Sequence, residues 1–189
     1  MRITSGEFRG LNLSVPSGDD VRPTQDRVRE ALFSMLGECV QGALFLDVFA
    51  GSGAVGLEAI SRGASRAVFV ERDSRAFTCL TANIARCNAA DRCDAHRADA
   101  LAWLASHCKS PSPQAPFDVA FADPPYALAS QGVYFDAMRL LADGNYMSPN
   151  GIFVAEMASH HAPDESPAWE LIRDRTYGQS RIAIYRRKP

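Results

Sequence analysis

Leu44-Phe45-Leu46-Asp47-Val48-Phe49-Ala50-Gly51-Ser52-Gly53-Ala54-Val55-Gly56 decides how this chain folds. Its first half is a short apolar run of the kind that is buried between two helical layers. Its second half is a glycine-rich turn where a strand hands over to a helix. Glycine there lets the backbone bend sharply and lets a ligand approach without a Cβ in the way. The same rhythm repeats outward. Ala67 to Glu71 is a second buried run, and Ser74 to Cys87 follows it with helical spacing. A weaker strand near 94–97, a helix near 100–107, a buried strand over Phe117–Ala122, a helix over about 131–142 and a strand over Gly151–Glu156 continue the series. Strands alternating with helices predict a mostly parallel sheet with helices on both faces. The last two runs, around 170–176 and 181–187, have no helix between them and predict an antiparallel pair.

Upstream of the deciding stretch, residues 2–15 alternate around a turn at Glu7-Phe8-Arg9-Gly10, which predicts a hairpin. Thr24 is expected to cap a helix carrying Val28, Ala31, Leu32, Met35 and Leu36, with Gly37 as its stop. Lys109 to Pro116, with three prolines, reads as a surface loop.

With 189 residues the chain is expected to form one domain, a head over 1–40 and a core over 41–189. Hydrophobic residues make up 47% of it, enough for a full core without metals or disulfides. No apolar run reaches the roughly 18 residues of a membrane span, and the charged N-terminal segment does not read as a signal peptide. The five cysteines form no Cys-x-x-Cys pair, so they are expected to be reduced thiols in a cytoplasmic protein. The net charge of −2 does not announce a nucleic-acid partner, but the basic residues are almost all Arg, eighteen against Lys109 and Lys188. Arg suits phosphate forks and stacking on bases. From charge alone, a solvated basic tail remains the simpler account of Arg173 to Lys188.

The glycine turn points to a nucleoside-containing ligand. Glu71 ends the next strand 18 residues after Gly53, where a carboxylate accepts hydrogen bonds from ribose hydroxyls. Asp99, after the third strand, stands where it can meet an adenine amino group. Gly51-x-Gly53-x-x-Gly56 also matches the dinucleotide fingerprint, so the turn alone leaves an NAD-binding oxidoreductase open. Asp47 before the turn suits a cationic amino-acid group better than a pyrophosphate. The chain is also short for a separate substrate domain.

Asp123-Pro124-Pro125-Tyr126 has no role in hydride transfer. It follows the fourth buried strand, and ligands of open α/β sheets bind beyond the carboxyl ends of the strands. The prolines hold Asp123 and Pro124 extended, which fixes the Asp123 carboxylate and a backbone carbonyl as acceptors. Alkylation of an aromatic amine needs this arrangement. The nitrogen lone pair is delocalised into the ring, and two fixed acceptors on its hydrogens draw it towards tetrahedral geometry. Tyr126 offers a ring for a base to stack on, worth roughly 1–3 kcal/mol per base. Taken alone, Asp-Pro-Pro also reads as a helix cap and turn.

These residues, in this order, resemble a class I S-adenosylmethionine-dependent methyltransferase of the amino-methylating kind. The head narrows the resemblance. Ile3-Thr4-Ser5-Gly6-x-x-Arg9-Gly10, then Arg22-Pro23-Thr24-Gln25-Asp26-Arg27-Val28-Arg29-Glu30-Ala31-Leu32-Phe33, and Tyr177-Gly178-Gln179-Ser180 near the end are similar to the bacterial 16S ribosomal RNA guanine-N2 methyltransferases of the RsmD type. Ser5 and Ser34 depart from the Ala and Asn usual there. The resemblance covers nearly the whole chain. It implies a Rossmann-like fold with a seven-stranded sheet and an antiparallel C-terminal pair. It implies S-adenosylmethionine as donor, S-adenosylhomocysteine as product, no metal, and a guanine amino group of small-subunit rRNA as acceptor. Asp47, Phe49, Gly51 and Gly53 would hold the donor, with Glu71 and Arg72 at its ribose and Asp99 and Ala100 at its adenine. Asp123, Pro124, Pro125 and Tyr126 would hold the guanine.

Arg9, Arg22, Thr24, Arg27 and Arg29 are expected to grip RNA phosphates, with head and tail forming a rim around the core. The same arginines can instead pair with Asp26 and Glu30 on a helix surface. The expected partner is 16S rRNA, in an assembled or assembling small subunit, bound by a monomer with no membrane contact. A DNA adenine-N6 methyltransferase shares Asp-Pro-Pro-Tyr, although no gap between motifs is long enough for its recognition insert. A protein-glutamine methyltransferase would carry Asn at 123. A non-catalytic RNA-binding module would keep the Arg-rich head and have no need of Asp123.

Overall fold

The computed structural model describes residues 1–16, 26–107, 116–129 and 132–189, with the backbone alone at 107, 126 and 127. Thr24, Arg22 and most of the proline loop therefore lie outside the described residues. The elements run α1 (Asp26–Leu36), β1 (Leu44–Asp47), α2 (Ala54–Ser61), β2 (Arg66–Glu71), α3 (Ser74–Arg86), β3 (Cys93–Arg97), α4 (Ala100–His107), β4 (Phe117–Ala122), α5 (Tyr126–Ala129), α6 (Val133–Asp143), β5 (Met147–Ala158), β6 (Trp169–Tyr177) and β7 (Ser180–Arg187).

One seven-stranded sheet forms in the order β3-β2-β1-β4-β5-β7-β6. β1 to β5 are parallel, and β7 is inserted antiparallel between β5 and β6. This is the mixed sheet expected of the methyltransferase fold. The chain order reverses at β1, whose neighbours are β2 and β4, so a crevice opens beyond its carboxyl end.

Alternation along each strand sorts the side chains into two cores. Phe45, Phe69, Val119, Phe121 and Val154 face α1, α2 and α3. Leu46, Val68, Val70, Ala120 and Phe153 face α4 and α6. α2 is buried on all sides, so its Glu58 and Ser61 sit inside the protein. Gly56 is where α2 crosses β2 closely: a Cβ there would lie 2.3 Å from Cε1 of Phe69.

The head forms a hairpin but not extended strands. A single bridge joins Arg2 to Asn12, with hydrogen bonds from Ile3 N to Leu11 O and from Leu13 N to Met1 O. Ile3 and Leu13 are buried, so the hairpin is anchored by its side chains. α1 ends at Leu36, directly before Gly37 as expected. Gly37 takes φ +54°, and a turn of 3-10 helix over Gly37–Val40 carries the chain onward. β5 starts at Met147, four residues before the expected Gly151, and Asn150 is accommodated at φ +63°.

Candidate donor and acceptor site

The register of the three central strands builds the site. Asp47 of β1 pairs with Phe69 of β2 on one side and Phe121 of β4 on the other. Two residues further along their chains come Glu71, Phe49 and Asp123, at the carboxyl edge of the sheet. The turn is fastened to both neighbours. Val48 N donates to Phe121 O (2.9 Å) and Ala50 N to Val70 O (3.0 Å).

Within the turn, Gly51 N donates to Oε2 of Glu71 at 2.7 Å, and Asp73 N donates to Oε1 at the same distance. Glu71 is thus a carboxylate fixed by two backbone donors, with lone pairs to spare. Gly53 caps α2 in the left-handed region at φ +80°, and a Cβ there would come within 2.4 Å of Leu80 Cδ1. Only glycine meets both demands.

Asp47 is 1% exposed. Its Oδ2 accepts from Gly56 N at 3.1 Å, and its Oδ1 has no hydrogen-bond partner among the described residues. Burial, reinforced by the charge of Glu71 and opposed by the Gly56 N–H, pushes its carboxyl up to about 7. A buried oxygen with an unmet bond and an energetically costly charge fits a cationic group, which supplies both a donor and the missing positive charge.

Asp99 caps α4. Its Oδ1 accepts from Ala102 N at 3.1 Å, and its Oδ2 lies 3.8 Å from Nη1 of Arg72, both side chains more than half exposed. Ala100, buried, opens the helix behind it. Ala98 N donates to Glu71 O (3.1 Å), tying the end of β3 to the end of β2. Phe49 is half-buried against the α4–α6 core. These residues together line one side of the crevice.

On the other side Asp123 is half-buried, Pro124 buried and Pro125 exposed. The Pro125 carbonyl accepts from Leu128 N (2.9 Å) and Ala129 N (3.1 Å), so α5 begins at Tyr126 immediately after the two prolines.

The arginines of the head divide. Arg9 and Arg27 are exposed. Arg29 is fully buried, which removes it from the expected phosphate-gripping set. It donates to Glu58 Oε2 (3.2 Å), Asp26 Oδ1 (2.9 Å) and the Arg2 carbonyl. Glu58, which sequence reasoning passed over, also accepts from Thr4 N (2.9 Å), Thr4 Oγ1 (2.7 Å), Ser5 N (3.0 Å) and Arg62 Nε (2.8 Å). Ser61 Oγ adds bonds to Ser5 O and Phe8 N. Asn83 of α3, fully buried, donates to both Ser14 O (2.8 Å) and Ser52 O (2.9 Å) and accepts from Ser14 N (2.8 Å). One readable signal for Glu58 is a carboxylate in the otherwise apolar run Ala54-Val55-Gly56-Leu57-Glu58-Ala59-Ile60. Among the described residues no group of three or more His, Cys, Asp or Glu is arranged to hold a metal.

Comparison with known proteins agrees with this geometry. The family model described as Conserved hypothetical protein 95 matches residues 1–186. Ribosomal RNA small subunit methyltransferase D of Escherichia coli (strain K12) is 34% identical over 189 residues, covering 100% of this chain and 90% of that protein. The solved structure of the Escherichia coli protein yhhF superimposes with a TM-score of 0.84 at 32% identity, covering 100% of this chain and 98% of that one. An O-methyltransferase from Bacillus cereus, solved in complex with SAH, shares the fold with a TM-score of 0.64 at 18% identity, covering 90% of this chain and 84% of its own. Seven strands in this order, a glycine turn at the reversal point and full-length similarity lead to one statement: the chain belongs to the Conserved hypothetical protein 95 family, the RsmD family of methyltransferases.

Proposed function

We propose that this chain transfers a methyl group from S-adenosylmethionine to the exocyclic N2 amino group of a guanine in 16S ribosomal RNA. The observation that carries the reading is the shared edge: Phe69, Asp47 and Phe121 in one row, with Glu71 and Asp123 two residues beyond it on either side of the glycine turn. The name of the Escherichia coli relative supports rRNA as the acceptor class.

The donor supplies a methyl group on a positively charged sulfur. Asp47 Oδ1 takes its ammonium, Gly51 and Gly53 let it approach the turn, and Glu71 accepts from its ribose hydroxyls. Asp99 accepts from its adenine amino group, with Phe49, Arg72 and Ala100 around the ring. Asp123 and a backbone carbonyl of the Asp-Pro-Pro turn accept the two hydrogens of the guanine amine and aim its lone pair at the methyl carbon. A carboxylate in that position also stabilises the positive charge that develops on nitrogen, and solvent takes the released proton. Tyr126 stacks on the base, which leaves its helix first if it is paired. Arg9 and Arg27 contact phosphates at the rim of the head, and Arg22 and Thr24 are further RNA contacts. The protein acts as a monomer in the cytoplasm, on an assembled or assembling small subunit whose shape supplies recognition that a single 189-residue domain lacks.

The test is transfer of tritiated methyl groups onto unmodified 16S RNA and onto small subunits, followed by identification of the labelled nucleoside. N2-methylguanosine is expected. Label on adenine or on protein overturns the guanine reading, and transfer to duplex DNA in a parallel reaction, with none to RNA, favours the DNA adenine-N6 alternative.

A further inference from the structure

A second carboxylate stands beside the acceptor turn. Glu156 lies in the apolar run Ile152-Phe153-Val154-Ala155-Glu156-Met157 of β5 and is 5% exposed. β4 and β5 pair in parallel with Ala122 opposite Ala155, so the next step along both chains brings Asp123 alongside Glu156. Alternation puts them on one face. Val119 and Phe121 in β4 and Ile152 and Val154 in β5 all belong to the core under α1 to α3, and Asp123 and Glu156 continue those two rows past the apolar residues. Across the sheet, Glu156 pairs with Ile182 of β7, a member of the same core. The strand is pinned there, because the Tyr134 hydroxyl donates to the Glu156 carbonyl at 2.6 Å.

A carboxylate in an apolar strand is costly to bury, and its position suggests a task. Adjacent strands run about 4.8 Å apart, a separation that two carboxylate side chains close around neighbouring donors on one base edge. Guanine presents such an edge: a ring N1–H next to the 2-amino group. Adenine presents a ring-nitrogen lone pair next to its amino group, which a carboxylate repels.

We infer that Glu156 determines specificity by accepting a hydrogen bond from N1–H of the target guanine while Asp123 accepts from its amino group. This rests on the guanine-N2 reading above. Asp123 then orients the nucleophile, and Glu156 selects which base is admitted. Sites built to bond a substrate N–H reject analogues lacking it far more strongly than apolar pockets reject a missing methylene.

The experiment replaces the target guanine, once mapped, with 2-aminopurine in reconstituted small subunits. That base keeps the 2-amino group but has a lone pair at N1. For the parent protein, kcat/KM on guanine should exceed that on 2-aminopurine by more than about 100-fold. In Glu156→Gln, whose amide can donate to N1, the preference should narrow at least about tenfold, with donor affinity within about twofold of the parent's. The missing C6 oxygen is met alike by both proteins and cancels in this ratio. Equal losses on both bases, with the preference unchanged, would make Glu156 structural and overturn the inference. Comparable use of both bases by the parent protein overturns it without any variant, so a Glu156→Gln protein that does not fold leaves the test intact. Methyl label absent from guanine N2 in natural subunits is a different outcome, and removes the underlying reading as well.

Discussion

Two buried carboxylates bracket the same helix, and they are treated in opposite ways. Glu58, inside α2, is 0% exposed and receives five hydrogen bonds, from Thr4 N, Thr4 Oγ1, Ser5 N, Arg29 Nε and Arg62 Nε. Asp47, just ahead of α2, is 1% exposed and among the described residues receives one, from Gly56 N. A saturated buried charge holds two parts of a protein together. An undersupplied one is held ready for something that arrives from outside. The head is therefore clamped by architecture, and the glycine turn is left one donor short.

The largest effect on turnover should come from the acceptor side. Asp123→Ala is expected to lower methyl transfer by about 10²–10³-fold, the usual cost of one oriented acceptor or donor at the reacting atoms. Donor affinity should stay within about twofold. Near-parental turnover would remove Asp123 from the chemistry and leave the comparison as one of stability alone.

Glu58→Ala removes one of the two carboxylates paired with the fully buried Arg29 guanidinium and should cost about 3–5 kcal/mol in denaturant unfolding. A loss below about 1 kcal/mol would mean that the clamp is ornamental.

Asp47→Asn should act in the opposite direction on stability. A carboxyl raised from 3.8 to about 7 holds its proton more tightly when folded. Its contribution to stability is complete below about 3.8 and is lost as pH rises through about 7. At pH 8 the donor-free variant should thus exceed the parent by up to about 4 kcal/mol, with the gain shrinking as pH falls through 7 towards 4. Donor affinity of the parent should fall below about pH 7, by up to about tenfold per pH unit, since a protonated Asp47 lacks the charge that attracts an ammonium. Calorimetry from pH 5.5 to 8 reads this. A flat profile for the parent would end the view of Asp47 as a waiting partner.

The smallest effect concerns the outer surface. Arg9→Glu and Arg27→Glu should each lower the salt slope of RNA binding by about 1 and change stability by less than about 0.5 kcal/mol.

The comparison also explains what the sequence made legible. The sheet could be read because Leu44–Asp47, Ala67–Glu71 and Phe117–Ala122 announce burial by composition, and the turn because glycines at Gly51 and Gly53 have few other uses at a strand end. Acidic residues at strand ends were readable for the same reason. The clamp was not. Periodicity assigns a charged residue in a helix to the solvent, so Arg29 passed for a phosphate ligand and Glu58 for nothing at all. Their partners, Thr4, Ser5 and Arg2, come from a hairpin whose docking on α2 is a tertiary fact. Asn83 was hidden likewise, as one polar residue on an otherwise ordinary amphipathic helix.

Asn83 has a consequence of its own. Its amide gives one N–H to Ser52, in the glycine turn, and the other to Ser14, where the hairpin leaves for the segment leading to Arg22. An aspartate of the same outline would confront both carbonyls with negative oxygen. The glycine turn and the end of the head hairpin are thus stitched through a single side chain, and a shift in either pulls on the other through a link only a few ångströms long.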